Sequence, residues 1–462
     1  MDMISQLPEG ILYHILSFLS TKNAVQTCVL SKLWRHLVST RPNIQFSLSC
    51  FNGNKETFMS VLDKTLQRYH DEKICIQVFH VMMWCDDYEL ISLLEKLIPI
   101  VALNMGVNKF SLYIRGTISA YFDLPSVVFE AQSLKHLNLR GFKLNSIEKI
   151  HFKYLRRLSL SEVYISDAAF EKIISSCHLI EDVVLFCCEG LKTIQVMHKH
   201  HKYFKGFELW GRHSKGDDVN GISIEIGVPT LETLKIVGCP NWYHQHKYFP
   251  CLMSLNLDNM RLSNWSFDFF SCNYLPNLKI LTLNYCYGFE EFHLSSVSIK
   301  HLNIEGMKKS IKAVIDVPSM VKFDYHGDIP SSIAFTATTF GYQWKSNICL
   351  CFYDVHHSSW FLKLNKLLDV VSQSEISLHL FDNGLSDNRQ NIEDVLDTTC
   401  DGLYKPTVAV EQLKLALSGP SSSYSFSPVI NNMFRICRPR NIIQCWCTHK
   451  SDRAGKKLAE FL

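Results

Sequence analysis

Apolar residues in this chain follow two rhythms. In the first forty positions the rhythm is helical: Leu7, Ile11, Leu12, Ile15, Leu16 and Leu19 lie on one stripe of a 3.6-residue period. Leu7-Pro8-Glu9 reads as a helix opening, because proline in the first turn lacks only an N–H that would have no partner there, and Glu9 suits the positive helix end. Ser20 or Thr21 can cap a second short helix holding Ala24, Val25, Cys28 and Val29. Ser31 can cap a third, holding Leu33, Trp34, Leu37 and Val38, and the segment closes at Arg41-Pro42. Three short helices bury little apolar surface unaided. The run Ile11–Leu19 covers more than one helical face, so either the remaining chain or a second protein covers the surplus.

Further along, the rhythm becomes Leu-x-x-Leu-x-Leu. Copies start at Leu134, Leu155, Leu231, Leu252, Leu278 and Ile299, with a weaker one at Met320 and degenerate ones at Val107, Ile180 and Phe204. Successive first positions are 21 to 27 residues apart, within the range of leucine-rich repeats. Such a unit cannot close its own core; stacked units share a continuous one, with the leucines of each short strand pointing inward. Ile165 to Ser176 reads as a helix on the return side of one repeat. The irregular gaps predict a bent, irregular solenoid. An ordinary α/β domain is the competing fold.

Four regions follow: residues 1–44, a three-helix unit; 45–106, a linker and solenoid cap; 107–330, the repeats; and 331–462, degenerate repeats and a C-terminal region. In the second, Glu56–Tyr69 and Tyr88–Ala102 read as helices and Ile74–Val78 as a strand. In the last, Leu362–Val371 and Asn391–Cys400 read as helices, Glu375–Leu380 and Val410–Leu415 as strands, and 419–423 as a loop.

Two stretches carry a family resemblance. Ile4 through Leu19, continuing with Ala24-Val25 and then Thr27-Cys28-Val29-Leu30-Ser31-Lys32-Leu33-Trp34-Arg35, resembles the F-box of plant F-box/leucine-rich-repeat proteins. Leu33 departs from the pattern, which usually has a basic residue there. Val314 to Met320, Tyr325 to Gly327 and Met433 to Arg440 resemble later segments of the same family. The resemblance implies an α/β fold, an N-terminal three-helix F-box followed by an irregular leucine-rich-repeat solenoid. It also implies docking to a Skp-family adaptor, and through it to cullin, by apolar helix contacts. Leu7, Pro8, Ile11, Leu12, Ile15 and Leu16 are the expected adaptor-facing or supporting set, with Trp34 anchoring the third helix. A charge placed at Leu12 or Leu16 is then expected to weaken docking.

Composition narrows the alternatives. The 462 residues are 47% apolar and 20% charged, enough for a large core and unlike a disordered chain. Lys plus Arg is 47 and Asp plus Glu is 44, a net charge of +3 that predicts no general recruitment of nucleic acid. The N-terminus has acidic Asp2 and Glu9 and no basic region of the kind that opens a secretory signal. No uncharged apolar stretch reaches about 18 residues, so no membrane span is expected. The 17 cysteines are scattered, many in apolar runs, and predict a reducing compartment, the cytoplasm and/or nucleus.

Candidate chemistry is sparse. His198, His200 and His201, with Cys187, Cys188 and His178 nearby, lack metal-site spacing, as do Cys445, Cys447 and His449. Arg435, Arg438 and Arg440 read as a solvated face. With no phosphate loop, zinc helix or nucleophile elbow, no catalytic residue, cofactor or metal is assigned. The family resemblance implies a non-catalytic substrate-recognition subunit of a Skp–cullin–F-box ubiquitin ligase, holding an unknown protein target on its repeats. The alternative is a non-enzymatic repeat scaffold whose N-terminal helices are only a cap.

Overall fold

The structure, a computed structural model, describes residues 4–19, 21–84, 88–115, 121–144, 147, 149–197, 201–211, 222–238, 241–243, 248–262, 269–270, 273–306, 311–336, 343–351, 358–381, 408–418 and 433–447. The chain divides into two compact units, Met1–His244 and Gln245–Leu462.

The first unit opens with three short helices: α1 (Glu9–Ser17), α2 (Thr21–Gln26), which continues into a 3-10 turn at Thr27–Val29, and α3 (Lys32–Ser39). Their boundaries follow local chemistry. The Pro8 carbonyl accepts the Ile11 and Leu12 amides at 2.9 and 3.2 Å, and Ser31 Oγ accepts the Trp34 amide at 3.3 Å as the cap of α3.

A parallel ladder begins directly after α3. Its strands are Asn43–Ser47, Val78–Trp84, Lys109–Arg115, His136–Arg140, Arg157–Ser161, Asp182–Phe186, Gly206–Trp210 and Thr233–Val237, each paired with the next. Parallel neighbours require a return crossover. Here the return side carries α4 (Lys55–Asp71), α5 (Tyr88–Asn104) and α6 (Asp167–Ser176). It also carries two small parallel ladders, Phe122–Asp123 with Phe142–Leu144 and Tyr164–Ile165, and Thr193–Met197 with Ser223–Gly227 and Asn241–Tyr243. Asn54 caps α4 by accepting the Thr57 amide at 2.8 Å, and Ser166 caps α6 by accepting the Ala169 amide at 3.3 Å. The helix expected from Ile165 starts at Asp167 because Tyr164–Ile165 is already a strand.

One strand expectation is corrected. Ile74–Val78 is not a strand; the strand is Val78–Trp84. Its buried residues show why: Ile76, Phe79 and Val81 reproduce the Leu-x-x-Leu-x-Leu spacing one repeat earlier than the sequence copies begin. The first position lies before the strand, so the alternating stretch overlaps the turn that enters it. In the same way Leu134 lies before His136–Arg140 and Leu155 before Arg157–Ser161.

The repeat motif becomes core as expected. The first positions Val107, Leu134, Leu155, Ile180, Phe204 and Leu231 are all buried, as are the paired strand positions such as Leu137 with Leu139 and Leu158 with Leu160. The strands His136–Arg140, Arg157–Ser161 and Asp182–Phe186 leave through sharp corners with positive φ, at Gly141 (83°), Glu162 (48°) and Cys187 (50°). The corner amide bonds the carbonyl ending the next strand, Glu162 to Phe186 at 2.7 Å and Cys187 to Trp210 at 2.8 Å. Glycine is required at position 141, where a Cβ would lie 2.1 Å from the Ile114 carbonyl oxygen.

The second unit repeats the plan. Ser254–Asp258, Ile280–Asn284, His301–Glu305, Lys322–Gly327, Lys345–Cys351, Glu375–Phe381, Val408–Ser418 and Cys437–Cys447 form a parallel ladder in chain order. Leu252, Leu278, Ile299 and Met320 are buried first positions. Its return side holds the ladder Glu291–Ser295, Lys312–Asp316 and Ser332–Phe335 and a helix, Ser358–Val370, which starts before the expected Leu362. The strands expected at Glu375–Leu380 and Val410–Leu415 are present and longer. The helix expected at 391–400 and the loop at 419–423 lie outside the described residues. No described helix is long and apolar enough to cross a membrane.

Candidate functional site: a helical docking surface and the repeat faces

The three N-terminal helices close on a small core of Leu12, Leu16, Ala24, Trp34 and Leu37, against which Tyr13, Ile15, Leu19, Leu33 and Val38 pack. Trp34 Nε1 donates to Ser5 Oγ at 3.0 Å, tying the residues before α1 to α3. The Tyr13 and Thr40 hydroxyls are 2.7 Å apart. Thus the expected docking set divides. Leu12, Leu16 and Trp34 belong to the interior of the three-helix unit; Leu7, Pro8 and Ile11 lie on its surface; Ile15 is half-buried. A 3.6-residue period marks both faces of α1 as apolar and does not say which one its own partners cover.

What stays uncovered is larger than the sequence stripe. Leu7 is 39% exposed, Ile11 47%, Phe18 75%, Val29 86% and Leu30 58%, with Ile4 and Val25 exposed as well. Between Ile4 and Leu30 the only Asp, Glu, Lys or Arg residues are Glu9 and Lys22. Phe18, Val29 and Leu30 were not in the expected docking set, and they sit where elements end: Phe18 is the C-cap of α1, and Val29, expected inside the second helix, closes with Leu30 the turn between α2 and α3. The usable signal was their apolar character at turn positions, where polar residues are the rule.

A polar cluster joins this unit to α4. Arg41 Nη2 donates to Thr21 Oγ1 at 2.8 Å, and that hydroxyl donates to the Gln45 carbonyl at 3.0 Å. Arg68 Nη2 donates to the Ser39 carbonyl at 2.6 Å, and the Tyr69 hydroxyl to the Arg41 carbonyl at 2.9 Å. Burial lowers the Arg41 pKa and raises that of Tyr69, with Arg68 and Arg41 opposing the latter shift. These exposed and part-buried hydrogen bonds tie the end of α3 and the first strand to α2 and α4.

On each ladder, alternate residues face away from the core. In the first unit Phe186 and Trp210 pack 5.8 Å apart, with Lys235 Nζ 4.0 Å from the centre of the Trp210 ring. Arg140 forms a forked pair with Glu162, at 2.8 and 3.0 Å. In the second unit Glu305, His326, Cys349 and His379 share one register row. Tyr285 donates to Glu305 Oε1 at 2.6 Å, His326 Nδ1 lies 3.2 Å from the same oxygen, and Cys349 Sγ lies 3.5 Å from His379 Nδ1. Burial, then Lys414 and His326, lower the His379 pKa. Among the described residues no three such side chains are arranged to hold a metal ion. His201 is buried, while His198, His200, His449 and the side chains of Cys445 and Cys447 lie outside the described set. Arg435, Arg438 and Arg440 are exposed, and Arg440 pairs with Glu411 at 3.1 Å.

A three-helix unit with an uncovered apolar surface, followed by parallel-strand repeats, has the domain organisation of an F-box receptor. The F-box domain family matches residues 4–46, and the family described as "FBD-associated F-box protein At5g56370, LRR repeats" matches residues 94–205. F-box/LRR-repeat protein 25 of Arabidopsis thaliana is 33% identical over 196 residues, 42% of this chain and 71% of that protein. The putative F-box/LRR-repeat proteins At5g41840 and At4g00320 of the same plant are each 33% identical, over 54% and 40% of this chain. The chain belongs to the F-box/leucine-rich-repeat family. The matches span 44% and 39% of the length of those last two relatives.

Proposed function

We propose that the protein is the substrate-recognition subunit of a Skp–cullin–F-box ubiquitin ligase. Leu7, Pro8, Ile11, Phe18, Val29 and Leu30 dock the Skp-family adaptor, while Ile15 and the buried Leu12, Leu16 and Trp34 hold the docking helices in place. The repeats carry a target protein, and the ligase's other subunits carry the chemistry. The receptor contributes proximity, raising the concentration of target lysines around the bound conjugating enzyme, so it needs no nucleophile or base of its own. It would work in the cytoplasm or nucleus; the free thiols among the described cysteines accord with a reducing compartment.

The observation that carries this reading is the apolar surface on helices that already possess a core. A cap serving only the repeats would turn such residues toward them. Co-expression of a Skp-family adaptor with the full chain, and with a chain lacking residues 1–44, tests it. Co-purification with the full chain alone is expected. Equal recovery with both chains, or with neither, would return the protein to the scaffold reading.

A further inference from the structure

The first strands of the ladder present a face of one charge sign. Their outward positions carry Lys109, Arg115, Arg140 and Arg157, with His80 and His136 between them. From Asn43 to Ser161 no outward ladder position carries a carboxylate; the first is Asp182, which pairs with Arg157 at 2.8 Å. Arg140 is engaged by Glu162, in the corner after the next strand. Among the described residues Lys109 and Arg115 have no ion-pair partner. By contrast, the outward positions of the second unit include Asp258, Glu305, Asp324 and Glu375.

Two features make this face more than a solvated patch. Arg115 holds its guanidinium 5.0 Å from the centre of the Trp84 ring, and Trp84 is itself exposed. Stacking orients the planar fork and leaves its edge free for a carboxylate. Tyr113, two residues before Arg115, packs 5.3 Å from His80, four residues before Trp84, and the pair offers an aromatic surface beside it. His80 is pushed below its usual range by burial and Lys109, and His136 by burial, Arg157, Lys109 and Lys135 against the opposing pull of Glu181.

Resting on the receptor reading above, we propose that this face recognises its target through an acidic peptide segment, with Lys109 and Arg115 as the principal carboxylate partners and Trp84 and Tyr113 as apolar anchors. Complementary charge supplies steering and partner choice, and aromatic contact slows release. A protein segment fits better than a nucleic acid. The cations alternate with Asn138, Ser159 and Ser161, small polar side chains suited to a peptide backbone, and they do not form the continuous basic track a phosphodiester chain needs.

The test uses the full chain co-purified with its adaptor and fluorescence anisotropy of three labelled probes. These are a twelve-residue peptide acidic at alternate positions with a central tryptophan, its lysine counterpart, and a twelve-nucleotide uridine RNA. The acidic peptide is expected to bind and the lysine peptide not to. Lys109→Glu and Arg115→Glu should each weaken binding by about tenfold, whereas Lys363→Glu, on the exposed side of the helix Ser358–Val370, should leave it unchanged. Equal binding of both peptides, no binding of the acidic one, insensitivity to the two reversals, or tighter binding of the RNA would overturn the proposal. The adaptor's presence in the same preparation keeps the two readings apart. A complex that forms but ignores the acidic peptide defeats only this proposal. A chain that binds the peptide without retaining the adaptor defeats only the ligase reading.

Discussion

Replacing Leu16 by alanine should open the three-helix unit, whereas the same change at Ile11 should not. Leu16 is 2% exposed in a core of only five fully buried side chains, and Ile11 is 47% exposed. Truncating a buried leucine costs about 2–5 kcal/mol. A unit of the length matched by the F-box family, residues 4–46, commands about 2–6 kcal/mol at the usual stability per residue. The Leu16 substitution therefore removes an amount comparable to the whole, while Ile11→Ala, on a half-uncovered side chain, costs about 1 kcal/mol or less. Amide hydrogen exchange reads the difference directly. In Leu16→Ala the amides of α1 should exchange close to freely while those of the ladder stay protected; in Ile11→Ala both should remain slow. The reasoning fails if α1 is equally protected in both variants, or if Ile11→Ala opens it as far. Charged substitutions at Leu12 or Leu16 are thus poor probes of docking, since they damage the fold of the docking unit first.

Other consequences concern the repeats. Gly141→Ala forces a side chain into φ 83° and against the Ile114 carbonyl; a loss of about 2 kcal/mol or more in chemical denaturation is expected, and an unchanged midpoint would contradict the corner geometry. His80, His136 and His379 all have folded pKa values below the ordinary 6.5. The folded protein then binds protons less readily than the unfolded chain, so their contribution is complete above 6.5 and is lost as pH falls from there through the folded values. The Tm should drop between about pH 7 and pH 5, and His136→Asn should make that drop shallower; an unaltered slope would argue against a His136 pKa held low by burial and its cationic neighbours. Arg140→Ala removes a forked but partly exposed ion pair and should cost about 1 kcal/mol or less; a loss several times larger in denaturant titration would mean the pair does more than brace the corner at Glu162.

The leucine pattern was legible because burial obeys a strict geometric period. First positions and strand alternates from Val107 to Met320 became core without exception. Where Ile76, Phe79 and Val81 extended the ladder backward, the same spacing was present, but the alternation of Ile74, Ile76 and Val78 read as an isolated strand shifted to its N-terminal side. The return side was less readable: its short ladders, such as Thr193–Met197, differ little in pattern from turns. At the N-terminus the period gave three helices and their caps at Pro8 and Ser31. It did not separate core from surface, because Ile11 and Leu12 are adjacent on a helix whose neighbours are set by tertiary packing. The apolar residues most open to a partner, Phe18 and Val29, lie at helix ends, where a periodic pattern does not say what will cover them. The face around Lys109 and Arg115 was hidden for a related reason: its charges lie far apart in sequence and meet only through ladder register, while the net charge of +3 averages them away.

The most direct test of the docking claim is calorimetric titration of a purified Skp-family adaptor into full-length chains bearing Ile11→Asp or Val29→Asp, with amide exchange of α1 confirming that each variant is folded. Both side chains face solvent, so the helices should persist while affinity falls by about a hundredfold as a charge is forced into an apolar contact. Folded variants that bind the adaptor as tightly as the unaltered protein would show that this surface is not where the adaptor sits.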